Sequence, residues 1–217
     1  MRFHTVLFDL DGTLTDPGLG ITNSVMYALR NSGIEVGERN EYYKYIGPPL
    51  LDSFQLYEHV SAEEARDLLR LFRVYFTQNG IYENTLYPGI PQMLSALYDA
   101  GIRIGLATSK PEEFAIRILE HFDIRRYFHF VSGSTMDETR SQKTEIIEYA
   151  LRLGDLQSGD RGCAMVGDRS YDIFGAKEYG LTSVGVTFGY GSRQEITDCK
   201  PDHIADSAAD LLKILVK

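Results

Sequence analysis

Val6-Leu7-Phe8-Asp9-Leu10-Asp11-Gly12-Thr13-Leu14-Thr15-Asp16 is the stretch on which the fold turns. Its first residues are apolar and read as a short buried strand. The strand stops abruptly at two carboxylates one residue apart, and Asp11-Gly12-Thr13 then turns the chain. Burying two anions at a strand end costs several kcal/mol unless a cation lies between them. A divalent metal held by oxygen ligands meets that cost and leaves one carboxylate free for chemistry. The bland alternative is an Asx-type turn, which Asp-Gly also favours.

Outward from this segment the texture divides. Residues 17–82 show only helical signals. Ile21, Val25, Ala28 and Leu29 recur at helical spacing and stop at Asn31-Ser32-Gly33. Gly47-Pro48-Pro49 breaks the chain before a helix carrying Leu50, Phe54 and Tyr57, and Ser61-Ala62-Glu63-Glu64 is a capping box for a helix reaching about Thr77. Beyond Tyr87-Pro88-Gly89, helix and strand alternate. Strands are expected at Ile102–Ala107, Phe128–Val131, Cys163–Val166, Thr182–Val186 and His203-Ile204. Helices are expected at Ile90–Ala100, Glu112–Phe122, Thr144–Leu153, after Gly167-Asp168 as far as Tyr179-Gly180, and at Ala208–Leu215. Such alternation predicts an α/β fold with a doubly wound parallel sheet and right-handed crossovers. Residues 1–16 and 83–217 would form that core, and 17–82 a small helical cap inserted after the first strand.

In a doubly wound sheet, sites gather outside the carboxyl ends of the strands. Asp9 and Asp11 end the first strand. Thr108 and Ser109 end another, and their hydroxyls and backbone N–H groups at a helix start suit phosphate oxygens. Lys143 opens a helix as a point cation. Asp168 follows Val166-Gly167, with Asp172 one helical turn on. Singly, each has an ordinary reading: a helix cap at Thr108-Ser109-Lys110-Pro111, a solvated lysine, a first-turn acidic pair. Together they make a phosphoryl-transfer set of nucleophile, acid/base, cation and metal site.

Composition bounds the partners. The chain has 217 residues, a net charge of -9 and a charged share of 24% with no basic cluster, which argues against a nucleic acid polymer. No apolar run approaches the roughly 20 residues of a membrane span. Met1-Arg2-Phe3-His4-Thr5 leads straight into the strand with no room for a signal peptide, so a cytoplasmic location is expected. Cys163 and Cys199 have no metal-binding spacing, and Cys163, in an apolar run, reads as a small core residue.

These motifs resemble those of the haloacid dehalogenase superfamily of phosphatases. Asp9-Leu10-Asp11-Gly12-Thr13 matches its D-x-D-G-T motif, Thr108 its strand-end hydroxyl, Lys143 its lysine, and Gly167-Asp168-Arg169-Ser170-Tyr171-Asp172 its G-D-x-x-x-D motif. The resemblance implies an aspartyl-phosphate on Asp9, with Asp11 as general acid and base. It implies Mg2+ held by Asp9, the Asp11 carbonyl and Asp168, with Thr108 and Lys143 on the transferring group. Asp172 would orient the lysine or a metal-bound water. Thr13, Ser109, Gly47, Pro48 and Arg169 are expected around the substrate.

Within the superfamily the chain is similar to the phosphoglycolate phosphatase and 5'-nucleotidase branch. Tyr45-Ile46-Gly47-Pro48-Pro49-Leu50 looks like that branch's cap loop, and Val186-Thr187-Phe188-Gly189-Tyr190-Gly191 like its glycine-rich loop beside the metal. Lys143 is followed by Thr144 where phosphoglycolate phosphatases usually have proline, which tilts the expected substrate toward a nucleoside 5'-monophosphate. Tyr42, Tyr43 and Tyr45 then offer either a stacking face for a base or part of the cap core. A small phosphorylated metabolite acted on by a monomer or homodimer is the expectation. A phosphosugar mutase resembling β-phosphoglucomutase and a non-catalytic phosphate-binding or signalling domain are the alternatives.

Overall fold

The first strand, β1 (Thr5–Phe8), is buried along its whole length. Both its faces are covered, which explains why it reads as an unbroken apolar run rather than an alternating one. The computed structural model describes residues 3–216. Leu7 and Phe8 have no solvent exposure, and each such side chain contributes about 1.5–3 kcal/mol by burial. β1 pairs in parallel with β4 (Arg103–Pro111) on one side and β6 (Cys163–Gly167) on the other. β5 (Phe130–Ser134) lies beyond β4, and β7 (Thr182–Val186) and β8 (His203–Ala205) lie beyond β6. Among the described residues the main sheet therefore has six strands in the order β5-β4-β1-β6-β7-β8, all parallel. The strand order reverses at β1, which is where a doubly wound sheet opens its crevice.

Two remaining strands, β2 (Thr15–Asp16) and β3 (Thr85–Leu86), pair as a short ribbon. The chain divides there into two compact units, one of residues through Thr15 and from Leu86 on, the other Asp16–Thr85.

In the sheet unit, α4 (Ile90–Asp99) packs on α9 (Ala208–Val216), and α6 (Lys143–Gly154) packs on α7 (Ser170–Glu178). Leu7, Ala107, Ile147, Met165 and Ala176 join the sheet to these last two helices in one apolar cluster. Cys163 belongs to it. Burial, with Asp160 nearby, pushes its thiol up to about 12, so it is a protonated core residue as the sequence suggests.

Several boundaries differ from the sequence reading. β4 runs on through Thr108, Ser109 and Lys110 to Pro111, so these residues are extended strand, and α5 (Glu112–His121) starts only afterwards. The backbone N–H groups at Thr108 and Ser109 are therefore not at a helix start. A residue before proline is biased to extended backbone, which carries the strand through Lys110. β5 takes in Ser132, Gly133 and Ser134, beyond the expected end of the strand at Val131. Gly133 is needed because a Cβ there would lie 2.5 Å from the Glu112 Cα. α8 (Arg193–Asp198) was not expected, although Ser192 caps it by accepting from the Glu195 N–H.

Asp202 ties β7 to the turn before β8. Its Oδ2 accepts from the Ser183 N–H at 2.9 Å and the Ser183 hydroxyl at 2.8 Å, and Oδ1 pairs with Arg161. Partial burial raises its pKa, but Arg161 and the two Ser183 donors outweigh that and hold it well below the usual carboxylate range. A depressed carboxylate stabilises the fold above its unfolded pKa of about 3.9 and loses that contribution as pH falls through the folded value. Asp202→Asn should therefore cost about 1.5–3 kcal/mol at pH 7. The gap to wild type should begin to close below about pH 4 in urea titrations run as a pH series.

The unit Asp16–Thr85 is helical. It contains α1 (Gly18–Asn31), a 3-10 segment Arg39–Tyr45, α2 (Leu50–Glu58), α3 (Ala62–Tyr75) and a π-turn Phe76–Gly80. α3 is capped by Ser61 and Glu64 as expected, but ends two residues early and passes into the π-turn. Gly20 and Gly80 explain the bulge. A Cβ on Gly20 would stand 2.0 Å from the Gly80 carbonyl oxygen, so the two backbones meet directly. Tyr42 and Tyr45 are buried, with Tyr45 packed against Phe54 and Tyr57 and its hydroxyl donating to Glu58. They form the core of this unit and offer no stacking face, whereas Tyr43 is exposed.

Candidate active site

The site is built from the carboxyl ends of β1, β4 and β6, the three neighbouring strands at the point where the order reverses. Asp9 follows β1 directly, and its N–H donates to the Val166 carbonyl at 2.9 Å. The chain then doubles back, with the N–H groups of Thr13, Leu14 and Thr15 all pointing at the Leu10 carbonyl. Gly12 makes the turn possible at φ +82°, and a Cβ there would lie 2.2 Å from the Asp168 carboxylate. Glycine meets the backbone angle and the close approach together.

Lys143, the first residue of α6, reaches across this end of the sheet. Its Nζ donates to Asp9 Oδ1 at 2.9 Å and to the Ala107 carbonyl at 3.0 Å, and lies 2.8 Å from Asp172 Oδ1. Burial alone would lower the pKa of this ammonium, but Asp172 and Asp9 more than reverse that, so the group stays charged. A second lysine does the same for the second aspartate. Lys110 Nζ lies 2.7 Å from Asp11 Oδ2, with both side chains nearly buried. Burial raises the Asp11 pKa, Lys110 pulls it back, and Asp9 pushes it up again.

Asp168 follows β6 and is enclosed by backbone. Its Oδ2 accepts from the Tyr190 N–H at 2.7 Å and the Gly191 N–H at 3.4 Å, and Oδ1 from the Thr13 hydroxyl at 3.3 Å. A Cβ on Gly189 would sit 2.2 Å from the Gly12 carbonyl, which fixes that loop as glycine-rich. Burial, reinforced by Asp172 and Asp9, pushes Asp168 up to about 8. Asp172, one turn into α7, accepts from the Arg169 N–H at 3.1 Å. Oxygens of Asp9, Asp168 and Asp172 all lie within 4.8 Å of one another.

This donor set fits a hard divalent cation. It is all oxygen, it is buried, and the three donors to Asp168 are a hydroxyl and two amides rather than full charges. A cation beside Asp9 and Asp168 would remove the repulsion that raises Asp168.

The structure thus brings together Asp9, Asp11, Thr13, Thr108, Lys143, Asp168 and Asp172. Thr108 is buried and its hydroxyl accepts from the Lys110 N–H at 3.3 Å, with Ser109 half-buried beside it. Arg169, expected at the substrate, has its guanidinium engaged with Glu195 at 3.1 Å. Gly47 and Pro48 belong to the helical unit, half-buried between the 3-10 segment and α2, with Gly47 at φ +108°. Lys110 is the residue that the sequence reading passed over. In sequence it reads as part of a helix cap, and the signal that separates it is Pro111 behind it.

A family model described as "Haloacid dehalogenase-like hydrolase" matches residues 6–186. A Pseudomonas aeruginosa protein named 5'-nucleotidase is 39% identical over 99% of this chain and 96% of its own length. A Mycobacterium tuberculosis protein named tyrosine-protein kinase PtkA is 35% identical over 95% of this chain and 69% of its own. A Salmonella typhimurium phosphoglycolate phosphatase is 34% identical over 97% and 91%. A solved structure of a predicted phosphatase from Clostridium acetobutylicum superposes with a TM-score of 0.95 at 41% identity, covering 99% of this chain and 98% of that one.

Proposed function

The chain belongs to the haloacid dehalogenase-like hydrolase family, and on that premise we propose that it is a Mg2+-dependent phosphomonoester hydrolase. The substrate class proposed is a nucleoside 5'-monophosphate. The carrying observation is the position of Asp9. Its carboxylate ends a strand, is held by Lys143 at 2.9 Å, and lies within 4.8 Å of two further carboxylates. The relative named 5'-nucleotidase, matching nearly end to end, supports the substrate class.

Asp9, Asp168 and the Asp11 carbonyl would hold Mg2+, which when bound offsets negative charge on the phosphoryl oxygens. Asp9 attacks phosphorus, the bond from phosphorus to the ester oxygen breaks, and Asp11 gives its carboxyl proton to that departing oxygen. Asp11 then takes a proton from water as the water oxygen attacks phosphorus, which releases phosphate and restores the Asp9 carboxylate. Lys143 and the Thr108 hydroxyl hold the phosphoryl oxygens and keep them in line.

Phosphate release from nucleoside 5'-monophosphates, 2-phosphoglycolate, sugar phosphates and p-nitrophenyl phosphate, with Mg2+ and with EDTA, tests this reading. Metal-dependent release with a nucleotide preferred is the expected result. A 2-phosphoglycolate preference would move the substrate class alone. No release from any ester, or release unaffected by EDTA, would overturn the proposal. An arm with ATP and a tyrosine-containing peptide belongs in the panel because of the relative named a tyrosine-protein kinase. Phosphoryl transfer to the peptide in place of water would replace hydrolysis with phosphotransfer.

A further inference from the structure

We propose that Lys110 is the positioning residue of Asp11, fixing one carboxylate oxygen so that the other faces the departing ester oxygen and, later, the attacking water. The assignment deepens the hydrolase reading above and rests on it.

Asp11 sits at the tip of a turn, bridged to Thr15, where its side chain has rotational freedom unless something holds it. Lys110 Nζ holds Oδ2 at 2.7 Å, a charge-assisted contact between side chains 5% and 11% exposed. Oδ1 is buried with no hydrogen-bond partner in the protein. A buried carboxyl oxygen left unpaired is costly, so a site that keeps one has an external partner for it. Lys110 is itself fixed. β4 stays extended to Pro111, and the Lys110 N–H is bonded to Thr108 Oγ1. The geometry gives each aspartate its own lysine, Lys143 for Asp9 and Lys110 for Asp11.

A purely structural ion pair would behave differently from a positioning one, and the choice of leaving group separates them. p-Nitrophenolate departs as an anion and needs no proton, so the first half-reaction on its ester bypasses Asp11. A ribose 5'-oxygen needs the proton, and hydrolysis of the phosphoenzyme needs Asp11 for both esters. Single turnovers with enzyme in excess and Mg2+ present would compare wild type, Lys110→Met, Lys110→Arg and Asp11→Asn on p-nitrophenyl phosphate and a nucleoside 5'-monophosphate.

For Lys110→Met, p-nitrophenolate release should stay within about 3-fold of wild type, while phosphate release falls about 10²-fold on both esters. Asp11→Asn should show the same pattern, deeper, and Lys110→Arg should recover most of the loss with KM unchanged. If Lys110→Met slows p-nitrophenolate release as much as phosphate release, or slows neither, the assignment is wrong. If the methionine variant does not fold, Lys110→Gln takes its place under the same criteria. Wild-type turnover with an unaltered Lys110 variant sinks this assignment alone. Absence of wild-type turnover on both esters brings down the hydrolase reading and the assignment with it.

Discussion

Asp9→Asn is expected to lower phosphate release by at least about 10⁴-fold, the scale of losing a nucleophile that acts as part of a unit. The amide keeps the shape of the carboxylate but has no anionic oxygen to attack phosphorus. The fold should survive because the neighbours remain satisfied: Lys143 keeps Asp172 at 2.8 Å and the Ala107 carbonyl at 3.0 Å. The site also holds more carboxyl groups than ammonium groups. The carboxylates of Asp9, Asp11, Asp168 and Asp172 face the ammonium groups of Lys110 and Lys143, and all six residues are buried. Neutralising Asp9 relieves repulsion on Asp168 and Asp172. The metal-free variant should therefore melt at the same temperature as wild type or higher. Mg2+ should raise the melting temperature of wild type more than that of the variant, because a ligand stabilises in proportion to its affinity for the folded state. Melting curves in EDTA and in Mg2+, beside the turnover assay, read both effects. A variant that still turns over would remove Asp9 from the nucleophile's role, and one that melts well below wild type in EDTA would contradict the charge balance.

Much of the sheet was legible because its strands are buried on both faces and its helices alternate with them. β7 was readable to its ends, since Thr182, Val184 and Val186 place β-branched residues at every second position. The site was legible for a related reason. Charged residues at the ends of buried strands have few structural roles, so Asp9, Asp11 and Asp168 stand out from their surroundings. What failed was local. Thr108-Ser109-Lys110 reads as a helix cap because small hydroxylated residues favour caps, but Pro111 behind it biases it to extended backbone and β4 runs on to Pro111. β5 was expected to stop at Val131 but runs on through Ser132-Gly133-Ser134, whose smallness lets it pass beneath the start of α5. Lys110 was hidden by the first of these errors. Tertiary proximity, the 2.7 Å to Asp11, is not a quantity that residue spacing carries.

Lys143→Met should produce the opposite stability change from Asp9→Asn, with comparable loss of activity. The Lys143 side chain is 6% exposed, and its ammonium lies within 3 Å of both Asp9 and Asp172. Methionine matches the length of the stem but leaves two buried carboxylates facing one another, and breaking a buried pair by removing one partner costs about 3–5 kcal/mol. Arginine is no remedy. Its planar guanidinium cannot place a compact point charge on Asp9, Asp172 and the Ala107 carbonyl at once, as the ammonium does. Turnover should fall by at least about 10²–10³-fold, since the cation proposed to steady the phosphoryl oxygens is lost. The variants can be played against each other. In Asp9→Asn combined with Lys143→Met, one carboxylate and its lysine vanish together, so the pair should cost less than Lys143→Met alone. That is the non-additivity of groups in direct contact. Urea unfolding of wild type, both single variants and the double variant in EDTA measures it. Strict additivity, or a Lys143→Met cost below about 1 kcal/mol, would mean that the pair behaves like a solvated surface contact. Lys143 would then lose its place as the cation on which the Asp9 site is balanced.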